Sequence, residues 1–117
     1  MMNRMKQTAL LVAIVALLAQ IVLGWPTKAD AARPYSDITV VMYMTDWCPY
    51  CVKARAYIKS LGVKLVEYNV ERDKDKAAES MRKAGRRGVP VIDVEGIIIP
   101  GYSPEHIKAA VEKRREQ

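Results

Sequence analysis

Cys48 and Cys51 are the only two cysteines of the 117-residue chain, and Pro49 and Tyr50 stand between them in the stretch DWCPYC, 46–51. Thiols at this spacing can supply half of a metal site, close a static bridge, or work as a dithiol–disulfide pair. A structural zinc ion or an iron–sulfur cluster asks for about four nitrogen or sulfur ligands. Beyond the pair this chain has only His106, far along the sequence and in a polar first-turn setting that suits an exposed helical residue. No metal is therefore expected unless a second chain shares the site. A static bridge over so short a loop removes little chain entropy, which argues against a purely structural role. Redox exchange is the reading that uses both thiols.

The surrounding pattern supports it. Residues 37–44, DITVVMYM, form an apolar run of strand formers, as in a central strand buried on both faces. A helical pattern follows over 49–61: Pro49 suits the first helical position, Cys51, Ala54, Ile58 and Leu61 recur at three- and four-residue steps, and Gly62 ends it. Cys48 thus falls at a helix N-terminus, where unpaired backbone N–H groups and the positive dipole end favour a thiolate. Cys48 is the expected nucleophile, and Cys51, one turn in, the thiol that resolves a mixed disulfide. Pro90 in GVPV, 88–91, opens a later strand where it cannot donate to a ladder. A cis turn there would leave the Val89 backbone free to pair with an extended substrate.

The remaining elements fill in around these. KLVEYNV, 64–70, reads as a strand, and Asp73 caps a helix that turns Ala77, Ala78, Met81 and Ala84 inward and closes at Gly85. VPVIDV and IIIP flank Glu95-Gly96, a two-residue hairpin connection. Ser103-Pro104 starts a last helix with Ile107, Ala110 and Val111 inward. The order β-α-β-α-β-β-α predicts an α/β fold, one mixed four-stranded sheet covered by three helices, with a parallel pair and a terminal antiparallel hairpin.

Ahead of this domain, Arg4 and Lys6 precede the apolar run from Ala9 to Ala19, and TKADAA follows Pro26. The pattern is that of a secretory signal peptide cleaved after Ala31. The competing reading is an uncleaved N-terminal membrane anchor through residues 9–25, just short of a span of about 20 residues. Both place the domain outside the cytoplasm, in a periplasmic or other extracytoplasmic compartment. Residues 1–31 are thus signal peptide or anchor, 32–36 a linker, and 37–117 the domain. Of the net charge of +6, +4 remains after residue 31. These bases lie at helix ends, where they match helix dipoles, and export removes the usual nucleic-acid partner.

With these elements laid out, the chain resembles the glutaredoxins of the thioredoxin superfamily over residues 38–116. CPYC matches the family's dithiol motif, GRRGVPV its approach to a cis-proline, and the element order its thioredoxin-like fold. The resemblance implies an enzyme that reduces or exchanges disulfides, on proteins or in glutathione mixed disulfides, by Cys48 attack and Cys51 resolution. It also implies a groove in which glutathione, a co-substrate rather than a bound cofactor, would contact Tyr50, Val89, Pro90, Gly101, Tyr102 and Ser103. Lys53 and Arg87 are candidates for electrostatic support. The expected partners are disulfide-containing proteins and either glutathione or a thioredoxin-type reductase, acting on a monomer.

Three departures turn part of this aside. Pro100-Gly101 replaces a pair of glycines, Thr45 and Asp46 stand where the family often has a lysine, and Trp47 before Cys48 is similar to thioredoxins while GYSP resembles redoxins served by thioredoxin reductase. A thioredoxin-reductase-linked redoxin and an iron–sulfur module shared by two chains are the alternatives. Pro49 constrains the loop against the latter.

Overall fold

The computed structural model describes residues 2–23 and 32–117, and side chains over 6–20 and 32–117. It divides into two units between Ala31 and Ala32. The first holds helix α1, Met2–Leu23. Among the described residues no helix is long and apolar enough to cross a membrane. The expected cleavage point after Ala31, and Trp25 at the end of the proposed span, lie outside the described residues.

The second unit carries β1 (Thr39–Met44), α2 (Pro49–Ser60), β2 (Lys64–Asn69), α3 (Lys74–Ala84), β3 (Val91–Val94), β4 (Ile97–Pro100) and α4 (Pro104–Arg115). This is the expected order. The sheet runs β2-β1-β3-β4, with β1 parallel to β2 and antiparallel to β3, and β3 antiparallel to β4. Glu95 and Gly96 both take positive φ, 48° and 101°, the backbone that a tight two-residue hairpin requires. Side chains alternate across β1. Val40, Met42 and Met44 join Ile92, Val94 and Ile99 in a core closed by Ala54 and Ile58 of α2 and Ile107, Ala110 and Val111 of α4.

The opposite face is built differently. There Lys83 of α3 donates to Tyr43 Oη at 2.8 Å and to Asp93 Oδ2 at 2.6 Å. Burial works against the Lys83 ammonium, but the bonds from Asp93 and Tyr43 outweigh it and raise its pKa above the ordinary lysine value. The expected inward stripe of α3 is corrected here. Ala78 and Met81 are exposed, Ala77 and Ala84 half-buried, and Ser80 is the helix's buried residue. Three alanines offer little apolar area, so the long reach of Lys83 to a buried carboxylate sets which side of α3 faces the sheet.

Residues 32–36, read as a linker, are pinned to the domain. The Arg33 N–H donates to Arg115 O at 2.8 Å, and its guanidinium grips Glu95 with both amino groups, at 2.7 and 3.2 Å. Tyr35 lies under Lys108 and Arg115 and donates its hydroxyl to Glu112.

Candidate active site

Strand β1 ends at Met44, and the turn 45–48 delivers the chain to α2 with Cys48 as its N-cap. Pro49 occupies the first helical position, where its missing N–H costs nothing. The Cys51 N–H donates to Cys48 Sγ at 3.1 Å. The sulfur of Cys48 therefore takes the place usually held by a capping oxygen, and negative charge on it is met by the helix N-terminus. The two cysteines form a disulfide, their Cα atoms 5.2 Å apart. Both are buried, whereas their neighbours Trp47 and Tyr50 stand out at 68% and 58% exposure.

The Val89–Pro90 peptide is cis. Its turn sits beside the cysteine turn because β3 runs antiparallel to β1, with Val91 opposite Tyr43. Gly101, at φ 95°, donates its N–H to Pro90 O at 2.8 Å and so ties the end of β4 to this turn. Among the described residues no hydrogen bond engages the Val89 amide or carbonyl. Ser103 takes the N-cap position of α4 as expected, yet its side chain makes no cap bond.

Two grooves meet at the cis-proline turn. The smaller is lined by Arg86, Arg87, Val89, Pro90 and Gly101. The larger, of about 770 Å³, runs from Thr45 and Trp47 past α3 to Arg87, Gly88 and Val89. Of the predicted site residues, the structure thus brings Cys48, Cys51, Val89, Pro90, Gly101 and Arg87 to one end of the sheet. Tyr50 is exposed on α2, with Lys53 Nζ 5.5 Å from its ring centroid. Tyr102 is half-buried against the core.

Two contributors carry no signal in the sequence. Trp47 Nε1 donates to Glu71 Oε1 at 2.5 Å, and Arg72 pairs with Asp46 at the same distance. Consecutive residues of the turn after β2 thereby hold consecutive residues of the cysteine turn. Asn69 shapes that turn by accepting from the Glu71 and Arg72 amides at 3.0 and 3.3 Å. Asp46 is accordingly a paired carboxylate and not a bare negative charge beside the site.

Comparison with known proteins agrees with this geometry. The family model described as Glutaredoxin matches residues 40–99. The chain is 35% identical over 74 residues to a glutaredoxin-like 8.6 kDa protein of the rubredoxin operon of Clostridium pasteurianum, covering 63% of this chain and 99% of that protein. It is 42% identical over 67 residues to a glutaredoxin of Pseudomonas aeruginosa, covering 57% and 80% respectively. Among solved structures, the glutaredoxin-like NrdH-redoxin of Escherichia coli, whose activity profile is described as thioredoxin-like, superposes with a TM-score of 0.53 at 25% identity. That match covers 61% of this chain and 92% of the redoxin.

Proposed function

The chain belongs to the glutaredoxin family of thiol–disulfide oxidoreductases, and from that premise we propose that it reduces or exchanges disulfides of protein substrates through both of its cysteines. The observation that carries this reading is Cys48 Sγ at the N-cap of α2, accepting the Cys51 N–H with the resolving sulfur one turn away. In the reduced protein the Cys48 thiolate attacks one sulfur of the substrate disulfide. A bond forms between Cys48 and that sulfur as the substrate S–S bond breaks, and the departing thiolate takes up a proton. Cys51, deprotonated, then attacks Cys48 Sγ. The second substrate thiol leaves and the Cys48–Cys51 disulfide closes, two electrons having passed to the substrate. Return to the dithiol needs an external thiol or a reductase.

Glutathione mixed disulfides are a second substrate in this reading. Two observations favour it: the Val89 backbone, without a hydrogen-bond partner among the described residues, and the α4 N-terminus whose Ser103 makes no cap bond, a site able to receive a carboxylate. Trp47 and Pro100-Gly101 instead favour electrons from a thioredoxin-type reductase. The test is turnover of a small mixed disulfide by the full chain with glutathione and its reductase, against thioredoxin reductase with NADPH. We expect activity with thioredoxin reductase that needs both cysteines. Activity with glutathione alone that survives Cys51→Ser would replace this by a monothiol mechanism. No turnover with either donor would sink the catalytic reading.

A further inference from the structure

The apolar stripe of α3 is not spent on the sheet. Met81, 47% exposed, and Ala77 face an open groove whose other wall is Trp47 and Val70. Thr45, 4% exposed, lines the same groove, and its buried Oγ1 has no hydrogen-bond partner among the described residues. At its cis-proline end stand Arg86 and Arg87. Arg33, Arg55, Arg72 and Arg115 each hold a carboxylate within 2.8 Å. No carboxylate of the described residues makes an ion pair with Arg86 or Arg87; Arg86 reaches only Pro100 O, at 3.5 Å. At the far end the one acid, Glu71, is already engaged by the Trp47 indole.

We infer that this groove selects the protein substrate: an extended polypeptide whose reactive cysteine is flanked by a large apolar residue, seated against Met81, Ala77 and Val70, and by an acidic residue held at Arg86 and Arg87. The charge pattern fixes the orientation, since Glu71 repels an acid at one end and the arginines attract it at the other. The Val89 backbone, which makes no hydrogen bond among the described residues, is available to pair with a passing backbone. Glutathione meets only part of this. It has carboxylates but no apolar side chain, and it would leave the walls of a groove of about 770 Å³ wet. The inference deepens the proposed reading and rests on Cys48 being the nucleophile.

The test uses the full, reduced chain in single turnover on four heptapeptides. Each is joined through its one cysteine to thionitrobenzoate, whose release by Cys48 attack on the peptide sulfur is coloured. The peptides carry Leu or Ser on one side of the cysteine and Glu or Lys on the other. We expect Leu to outpace Ser by about tenfold, the scale of a modest apolar contact, and Glu to outpace Lys by about threefold, the scale of exposed charge pairs. Each preference is a ratio within one protein, so a general loss of activity cancels. Met81→Asp should erase the Leu preference, and the double variant Arg86→Glu, Arg87→Glu should invert the Glu preference. Four rates within about twofold of each other overturn the inference, while undiminished Cys48-dependent reduction of hydroxyethyl disulfide keeps the proposed function standing. Failure on hydroxyethyl disulfide as well overturns both. A dimer in sedimentation that Met81→Asp splits would mean that a second copy covers the groove, and would overturn the inference too.

Discussion

The two ends of the sheet spend their charges in opposite ways. At the end where the domain begins, Arg33, Glu95, Tyr35, Lys108, Glu112 and Arg115 engage one another in a network of ion pairs and hydrogen bonds, although Arg114 Nε is buried there without a partner among the described residues. Glu95 even accepts the Thr39 amide at 3.0 Å, so one carboxylate stitches the first domain segment, the hairpin turn and β1 together. At the cysteine end, Asp46 and Glu71 are paired, but among the described residues Arg86 and Arg87 hold no carboxylate, with Arg86 reaching only Pro100 O, while the Val89 backbone has no hydrogen-bond partner and Thr45 Oγ1 is buried without one. Arginines and acids stand at both ends. What separates a clamp from a binding surface is whether the polar groups are already answered within the fold, because an unanswered group keeps its full interaction for a ligand.

The largest effect expected from breaking this comparison comes from Cys48→Ser. Removing the nucleophile should lower disulfide turnover on the order of a thousandfold or more. Thermal unfolding under reducing conditions should hardly move, since the serine keeps the N-cap position and its hydroxyl can accept the Cys51 N–H. If the melting temperature of reduced Cys48→Ser collapsed along with activity, the cysteine end would be a structural element like the other. The comparison would then fail.

Acid strikes the opposite end. The Tyr35 hydroxyl and the Lys108 ammonium, with Arg115, hold Glu112 at a pKa of about 2, and Arg33 with the Thr39 amide lowers that of Glu95. A depressed carboxylate pKa contributes stability that is present above the unfolded value of 4.5 and is lost as pH falls through the folded value. The melting temperature should therefore hold between pH 7 and pH 5 and fall as pH drops from about 4.5 towards 2. Glu112→Gln should melt about 2–4 °C lower at pH 7, the scale of exposed pairs in a small domain, and decline less steeply in acid. Its turnover at pH 7 should match the parent chain. Parallel acid curves for the two proteins, followed by circular dichroism, would remove Glu112 from the clamp.

Much of this was legible before any coordinates. Element order follows from local signals that the fold honours: Pro49 at a helix start, Asp73 accepting from the Lys76 amide at 3.1 Å, Gly85 in a left-handed helix end, and Glu95-Gly96 in the hairpin. The cysteine pair and the cis-proline are compact motifs and were equally visible. The face of α3 was not. A three- and four-residue apolar repeat says which residues share a side, but a stripe of alanines and one methionine does not say whether that side meets a sheet or stays open. The lone Asp93 in VIDV was the available sign that a cation would come to that strand instead. The Arg33–Glu95 and Tyr35–Glu112 contacts join residues 62 and 77 apart, and ordinary charges at such separations carry no local pattern. Glu71 and Arg72 escaped for the same reason, sitting 24 and 26 residues from their partners.

The smallest predicted effect tests whether those two residues belong to the binding end at all. Trp47 is 68% exposed, so nothing but the Glu71 carboxylate fixes its indole N–H within the described residues. An exposed ring free to rotate must be ordered again whenever a substrate docks, at a cost of about 0.5–1.5 kcal/mol per immobilised side chain. Glu71→Ala should therefore raise KM for a peptide disulfide about two- to fivefold, with kcat unchanged, because the ring contributes to docking and not to sulfur exchange. Glu71→Gln retains an acceptor and should restore most of the loss, through a neutral bond weaker than the charged one. A fall in kcat with KM constant would show that the Glu71 contact acts on the Cys48 turn itself. The paired carboxylates would then belong to the catalytic geometry, and only the unanswered arginines and backbone would remain as the docking surface.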